Sequence, residues 1–420
     1  MSFSRTPQRF NLEQIGKYLM SVLAANRVDD RDPVDVDHAE FIAFRRDLHR
    51  NPELSFEEHR TSELIAGKLT AWGYAVHRGL GGTGVVAQIK RGSGGRKLGI
   101  RADMDALPIQ ETSNLSWASG IRGVMHACGH DGHTAMLLAA AKLLAQTESF
   151  DGTLNLIFQP AEEFGKAGSG AARMIADGLF EQFPCDAVFA MHNAPTIPQG
   201  MLLFRDGPMM ASSDRAVITL TGKGGHGGMP HTTVDPVVAA ASLVMALQTI
   251  VSRNVDPLST AVVSVGVLHA GSASNVVPNS AHIEMSIRAL DPAVRDLLEV
   301  RIRALAEDHA RSFNVSAAID YQRGYPPVVN TLTETNFARQ VALDLVGPER
   351  VVQQCPATTG SEDFAFMLEQ RPGCYLLIGN GVGDSPNACM VHNPGYDFND
   401  DNIAVGAAYW TSLAKRFLIA

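Results

Sequence analysis

Glu162 and Glu163 stand side by side in "QPAEE", directly behind the apolar run "TLNLIF". A carboxylate placed at the end of a buried strand must be paired or coordinate a cation, because an isolated buried charge is too costly. The arrangement recurs: "LGIRADMD" runs into Asp103 and Asp105, and "AVFAMHN" runs into His192. In open α/β sheets ligands bind beyond the carboxyl ends of strands, so residues far apart in sequence can converge there. A further stretch, "MHACGHDGH", sets Cys128 and His130 on either side of Gly129, which lets the backbone approach closely and aims both side chains to one side. Thiolate and imidazole suit zinc or a similar borderline ion, and carboxylates widen the choice to manganese. Two ligands do not make a site. Glu163 and His192 are available to complete one, and His392, in the loop "MVHNPGYDFND", is a further candidate. Cys128, His130, Glu163, His192 and His392 are too many for one tetrahedral zinc but suit two metals sharing a bridging group.

Glu162 and Glu163 cannot share one duty. Adjacent residues leaving a strand point to different sides, so one binds metal while the other faces the attacking water. A carboxylate beside that water is placed to act as general base and then as acid to the leaving group, which makes this a hydrolase site. "GKGGHGGMPH" adds His226 on a glycine-rich arm able to present its imidazole to something nearby, although a lone histidine there also reads as a turn residue. Asn275 and Arg288 offer an amide and a guanidinium, the latter a natural clamp for a carboxylate substrate and equally a partner for a structural salt bridge. His126 and His133 read either as supports behind the ligands or as polar residues of a helix entrance. His38, His49, His59, His77, His269, His282 and His309 read as structural or solvent-facing.

The elements that must position these groups follow from the pattern. The chain has 420 residues, enough for two or three domains, and its 45% hydrophobic and 19% charged residues are those of a soluble globular protein. A net charge of −9 without a basic run argues against nucleic acid as a partner. No apolar run reaches the roughly 18 residues of a membrane span, and no secretory leader is visible, so a cytoplasmic protein is expected. The 5 cysteines are scattered and odd in number, a poor disulfide framework that fits a reducing compartment. Residues 1–37 read as a leader, with an amphipathic helix around Leu12–Ala25 and a polar linker. Strands and helices then alternate, with "GVVAQIK", "KLGIRADMD", "TLNLIFQPAEE" and "DAVFAMHNAP" as strands and Thr134–Gln146 as a helix. That alternation predicts an open α/β sheet flanked by helices. From residue 211 to residue 324 the order becomes β-α-β-β-α-β, the ferredoxin-like split βαβ unit. The fold class is therefore α/β: a catalytic domain of residues 38–210 and 325–420, interrupted by an inserted α+β satellite domain.

"MHACGHDGH", "QPAEE", "MHN", "GKGGHGGMPH", "GSEDF" and "VHNPGYDFND" occur in that order, and together they resemble the metal-dependent amidohydrolases that include hippurate hydrolase and the indole-acetyl-amino-acid hydrolases. These are relatives of aminoacylase and of glutamate carboxypeptidase-type metallopeptidases. The resemblance covers roughly residues 38–415. It implies a mixed sheet of the metallopeptidase kind and two divalent ions (Zn, Mn, Ni or Co) held by Cys128, His130, Glu163, His192 and His392, with Cys128 bridging. It implies Glu162 as general acid/base, Asp105 as an orienting residue, and His226 as oxyanion donor, in relatives often reaching across a dimer of the smaller domains. Asn275 and Arg288 would hold the substrate. The expected substrate is a small N-acyl L-amino acid. The alternatives are a dipeptidase, a carboxypeptidase or an N-acyl-diaminopimelate deacetylase on the same site, and, more remotely, a non-catalytic metal-binding protein. A cysteine hydrolase using Cys128 with His130 or His126 leaves Glu162, Glu163, His192 and His392 unexplained. "FGKAGSGAARM", after Glu163, is longer than the glycine-rich turn of that family and brings Phe164 and Lys166 near the metals.

Overall fold

The computed structural model describes residues 38–381 and 389–419, so the helix and linker expected before residue 38 lie outside it. The first strands are β1 (Ala75–Leu80), β2 (Gly84–Arg91), β3 (Lys97–Asp103), β4 (Gly152–Gln159), β5 (Ala187–Pro198) and β6 (Leu202–Leu203). A second set comprises β7 (Asp214–Thr221), β8 (Ala261–Ala270), β9 (Ser280–Ala289) and β10 (Ser316–Arg323), and β11 (Val351–Val352) and β12 (Gly373–Gly381) complete the first. The larger sheet has 8 strands in the order β1-β2-β4-β3-β5-β12-β6-β11. Its centre is parallel, from β4 through β3 and β5 to β12; β1 and β2 pair antiparallel, and β6 is antiparallel to β12 and parallel to β11. The sheet is therefore mixed, as expected.

Helices cover both faces, and strand alternation says why. On β4, Leu154, Leu156 and Phe158 join one core while Ile157 joins the other. The first core is closed by α1 (His38–Arg50), α2 (His59–Ala71), α3 (His130–Ala145), α7 (Leu332–Val346) and α9 (Asn402–Phe417); the second by α4 (Gly170–Ala176) and α8 (Phe364–Gln370). α3 is apolar all round and buried from Thr134 to Ala141, as a helix sandwiched between sheet and helices must be. Each fully buried leucine-sized side chain there contributes about 1.5–3 kcal/mol relative to exposure. The helix begins earlier than its apolar pattern suggests: His130 is its first residue, after Gly129 at φ 95°. A Cβ at Gly129 would stand 2.4 Å from Asn193 Nδ2 and 2.6 Å from Tyr396 Oη, so only glycine fits.

The second sheet is antiparallel with order β8-β9-β7-β10, the ferredoxin-like arrangement. α5 (Pro236–Asn254) and α6 (Pro292–Ser312) cover one face, and both start at an Asp-Pro pair. Asp235 accepts from Val237 N–H and Asp291 from Ala293 N–H, with proline at the first helical position. Contrary to the sequence expectation, α5 is long and apolar enough to cross a membrane by length and composition. Its Ala239, Leu243, Leu247 and Ile250 pack into the core of this sheet, while Val237, Val238 and Met245 are exposed.

Candidate metal centre

The carboxyl ends of β3 and β4, the start of α3 and the middle of β5 meet at one place. β5 does not end at His192 but runs on to Pro198. Its pairing with β3 stops at Ala190, and from there its ladder pairing is with β12, which pairs His192 with Leu377. Several sets of donor atoms gather there within 4.8 Å of one another, two of them through Cys128: Cys128, His130 and His192, and Cys128, Glu163 and His392. Cys128 belongs to both. Its Sγ lies 3.2 Å from His192 Nε2, and His392 Nε2 lies 3.1 Å from Glu163 Oε1. The five ligand residues expected from sequence thus converge, with His392 at the exposed rim at φ 65°.

The histidines are set to ligate. His130 Nδ1 faces Asp105 Oδ1 at 3.2 Å, and its Nε2 is buried without a hydrogen-bond partner. His192 Nδ1 donates to the carbonyl of Asn193 at 2.8 Å, which leaves the Nε2 lone pair for the cluster. An imidazole fixed through one nitrogen by a carboxylate or carbonyl is the usual arrangement of a metal-bound histidine. Both ring nitrogens of His133 are engaged: its Nδ1 meets Asp103 at 2.6 Å, and its Nε2 accepts from Asn193 N–H at 3.1 Å. His126 holds no ligand position. It is buried beside His49, neither ring nitrogen is bonded, and burial pulls its pKa down to about 4.

The two glutamates do not diverge to opposite sides. β4 ends at Gln159, and Ala161, at φ 51°, turns the chain into a single 3-10 turn, Glu162–Phe164. Both carboxylates therefore point inward: Glu162 Oε2 and Glu163 Oε1 lie 4.0 and 3.9 Å from His130 Nε2. Asp105 anchors the turn by accepting the N–H of Glu162 at 3.1 Å and of Glu163 at 2.9 Å.

Behind Glu162 lies a buried charge cluster in which the sequence reading named no roles. Arg101 donates to Gln159, Asp103, Glu362 and Asp363 at 2.8, 2.7, 2.9 and 3.1 Å. Glu362 and Asp363 come from "GSEDF" and sit within 4.8 Å of Glu162. Burial first, then Glu362, Glu163, Asp363 and Asp105, holds the Glu162 carboxyl well above the ordinary range. Burial and the Glu163, Glu162 and Asp103 carboxylates likewise push the Cys128 thiol well up, which disfavours a free nucleophilic thiolate. At His130 burial opposes charge, but Asp103, Asp105 and Glu163 raise its pKa to about 10. So many buried carboxylates around one guanidinium call for cations. Two divalent ions fit the donor set: soft thiolate, bare imidazole nitrogens and hard carboxylate oxygens.

The remaining residues lie elsewhere. His226 is exposed on Gly225–His226, which pairs with Val276–Val277, and its Nδ1 accepts from Gly228 N–H. Asn275 is exposed beside it, its carbonyl taking Gly227 N–H at 2.8 Å. Within one chain neither joins the metal cluster. Arg288, half-buried on β9, does reach the larger domain, donating to Ser361 Oγ at 3.1 Å beside Glu362. Burial, only partly offset by Asp214, lowers its pKa.

Against known proteins, residues 99–416 match the model of peptidase family M20/M25/M40. The chain belongs to that family, whose members here include metal-dependent amidohydrolases. It is 44% identical over 379 residues to hippurate hydrolase of Campylobacter jejuni, covering 90% of this chain and 97% of that one. It is 39% identical to N-acetyl-L-cysteine deacetylase of Bacillus subtilis, covering 93% and 91%. Among solved structures it resembles a dinuclear metal-binding M20 peptidase of Bacillus subtilis, with TM-score 0.79 and 34% identity, covering 91% and 98%. The protein is a metal-dependent hydrolase acting on amide bonds of substrates like N-acyl amino acids.

Proposed function

We propose that this chain splits N-acyl L-amino acids into a carboxylic acid and a free amino acid, with hippurate-like aromatic acyl groups first among candidates. The observation that carries the reading is the pair of donor triads sharing Cys128, with Glu162 buried beside them. Its similarity to hippurate hydrolase supports the acyl choice. Cys128, His130, Glu163, His192 and His392 would hold two divalent ions, which supply Lewis acidity toward water and the scissile carbonyl.

Glu162 takes a proton from the attacking water as its oxygen bonds to the amide carbon. The C–N bond then breaks, and Glu162 returns the proton to the departing nitrogen. Asp105 orients both the His130 ring and the Glu162–Glu163 backbone. Arg288, bonded to Ser361, clamps the substrate carboxylate, and Asn275, which travels with His226 on the satellite domain, reaches the acyl carbonyl from a second copy. His226, exposed in one chain, supplies the oxyanion contact from the satellite domain of a second copy.

The test is a hydrolysis screen of N-benzoyl, N-acetyl, indole-acetyl and long-chain acyl amino acids, with dipeptides as the competing class. It is run after chelation and restoration with zinc, manganese, cobalt or nickel. Turnover of acyl amino acids only after restoration is expected. A preference for free dipeptides would replace this reading with a peptidase.

A further inference from the structure

The turn that carries Glu162 is held from outside at several backbone groups. Ala161 N–H donates to Glu58 Oε1 at 2.8 Å, and the N–H groups of Glu162 and Glu163 go to Asp105. The turn's other end is closed by one side chain from a distant part of the chain. Tyr325 Oη accepts Gly165 N–H at 2.7 Å and donates to the carbonyl of Glu162. It therefore bridges the two groups that close the 3-10 turn, one of them on Glu162 itself. The ring is buried, 3% exposed, and meets Phe366 edge-on with centroids 6.1 Å apart.

Tyr325 also stands where the chain re-enters the larger domain. It follows β10, and its carbonyl accepts the N–H of Ser213, the residue before β7, at 2.9 Å. The two strands that carry the second sheet in and out are thus paired at Tyr325, and the same residue's hydroxyl grips the catalytic turn. A carboxylate on a turn entered through a left-handed alanine needs such outside determination to keep one position.

From this geometry we infer that Tyr325 is a positioning residue for Glu162: its hydroxyl fixes the Glu162–Gly165 turn and ties it to the junction with the smaller domain. The inference deepens the proposed proton path and rests on it. Tyr325 touches neither water nor substrate in this scheme. Its effect passes through the Glu162 backbone, so losing the hydroxyl should slow chemistry while leaving binding and metal content in place.

The experiment compares wild type with Y325F, which keeps the ring. On the best acyl amino acid, kcat should fall on the order of 10- to 100-fold, as expected for a slightly misplaced catalytic group. KM should change less than about twofold and bound metal should be equal. Hydrogen exchange supplies a reading that needs no substrate. Gly165 is exposed and its amide donates to Tyr325 Oη, so Y325F should lower the protection of that amide relative to wild type. The exchange result stands even if acyl amino acids prove to be the wrong substrates, which separates failure of this inference from failure of the proposed function. Unchanged kcat, loss of metal in Y325F, or a Gly165 amide in wild type as fast as neighbouring exposed amides would each overturn it. The last measurement needs no variant to fold.

Discussion

His130 Nε2 is buried and unbonded, an arrangement that costs about 1–3 kcal/mol in a protein without a partner for it. Its other nitrogen is fixed by Asp105, so Nε2 is aimed at the cluster rather than left over. Cys128 is understood the same way. Its thiol looked like the chain's most evident nucleophile, yet it shares both donor sets, and its carboxylate neighbours disfavour a free thiolate. Glu162 is the group with no ligand duty in either Cys128 triad. Replacing it with Gln keeps size and removes the proton acceptor. E162Q should lose at least about 100-fold in kcat while binding as much metal as wild type. Parallel rate and metal measurements check this, and activity above a tenth of wild type would remove Glu162 from the proton path.

At the scale of elements, the metal centre depends on how α1 is pinned to α3. His49, near the end of α1, meets Asp131 Oδ2 at 2.8 Å and Glu111 Oε1 at 3.4 Å, and Arg45 Nε meets Asp131 at 2.8 Å. Asp131 follows His130, so this buried cluster fixes the first turn of α3. Burial opposes charge on His49 and Arg45 repels it, but Asp131 and Glu111 prevail and raise its pKa to about 9, from an ordinary 6.5. His126 faces the pair as a neutral ring. The folded state thus binds a proton more tightly than the unfolded state. The resulting stability is fully present below pH 6.5 and is lost as pH rises toward 9; it amounts to at most about 3 kcal/mol. The stability difference between wild type and H49Q, from denaturant unfolding of metal-free protein, should shrink over that interval. A difference constant from pH 6 to 10 would mean that His49 is not protonated in the fold.

For the whole molecule, two sheets built on different rules are joined at a pair of crossings, and Arg288 and Tyr325 face the larger domain from that junction. Much of this was legible in the chain. Apolar strands running into acid or histidine marked the converging region, and the β-α-β-β-α-β order marked the ferredoxin-like unit. Residues whose meaning depends on distant partners were not legible. Arg101 sits in an apolar strand with no sign of its partner Glu362, 261 residues away. Tyr325 looks like any residue of a turn until its hydroxyl is seen on Gly165, 160 residues back. The inward aim of both glutamates was missed because it comes from Ala161 at positive φ, which no side-chain pattern announces. His226 and Asn275 were readable as unusual, and in one chain they remain apart from the cluster. The most direct test of the account is stepwise metal restoration to chelated protein, with bound metal and acyl-amino-acid hydrolysis measured on the same samples. The account predicts two divalent ions per chain, activity rising as they bind, and less than full loading of C128A. A single ion at full activity, or hydrolysis by the metal-free protein, would contradict it.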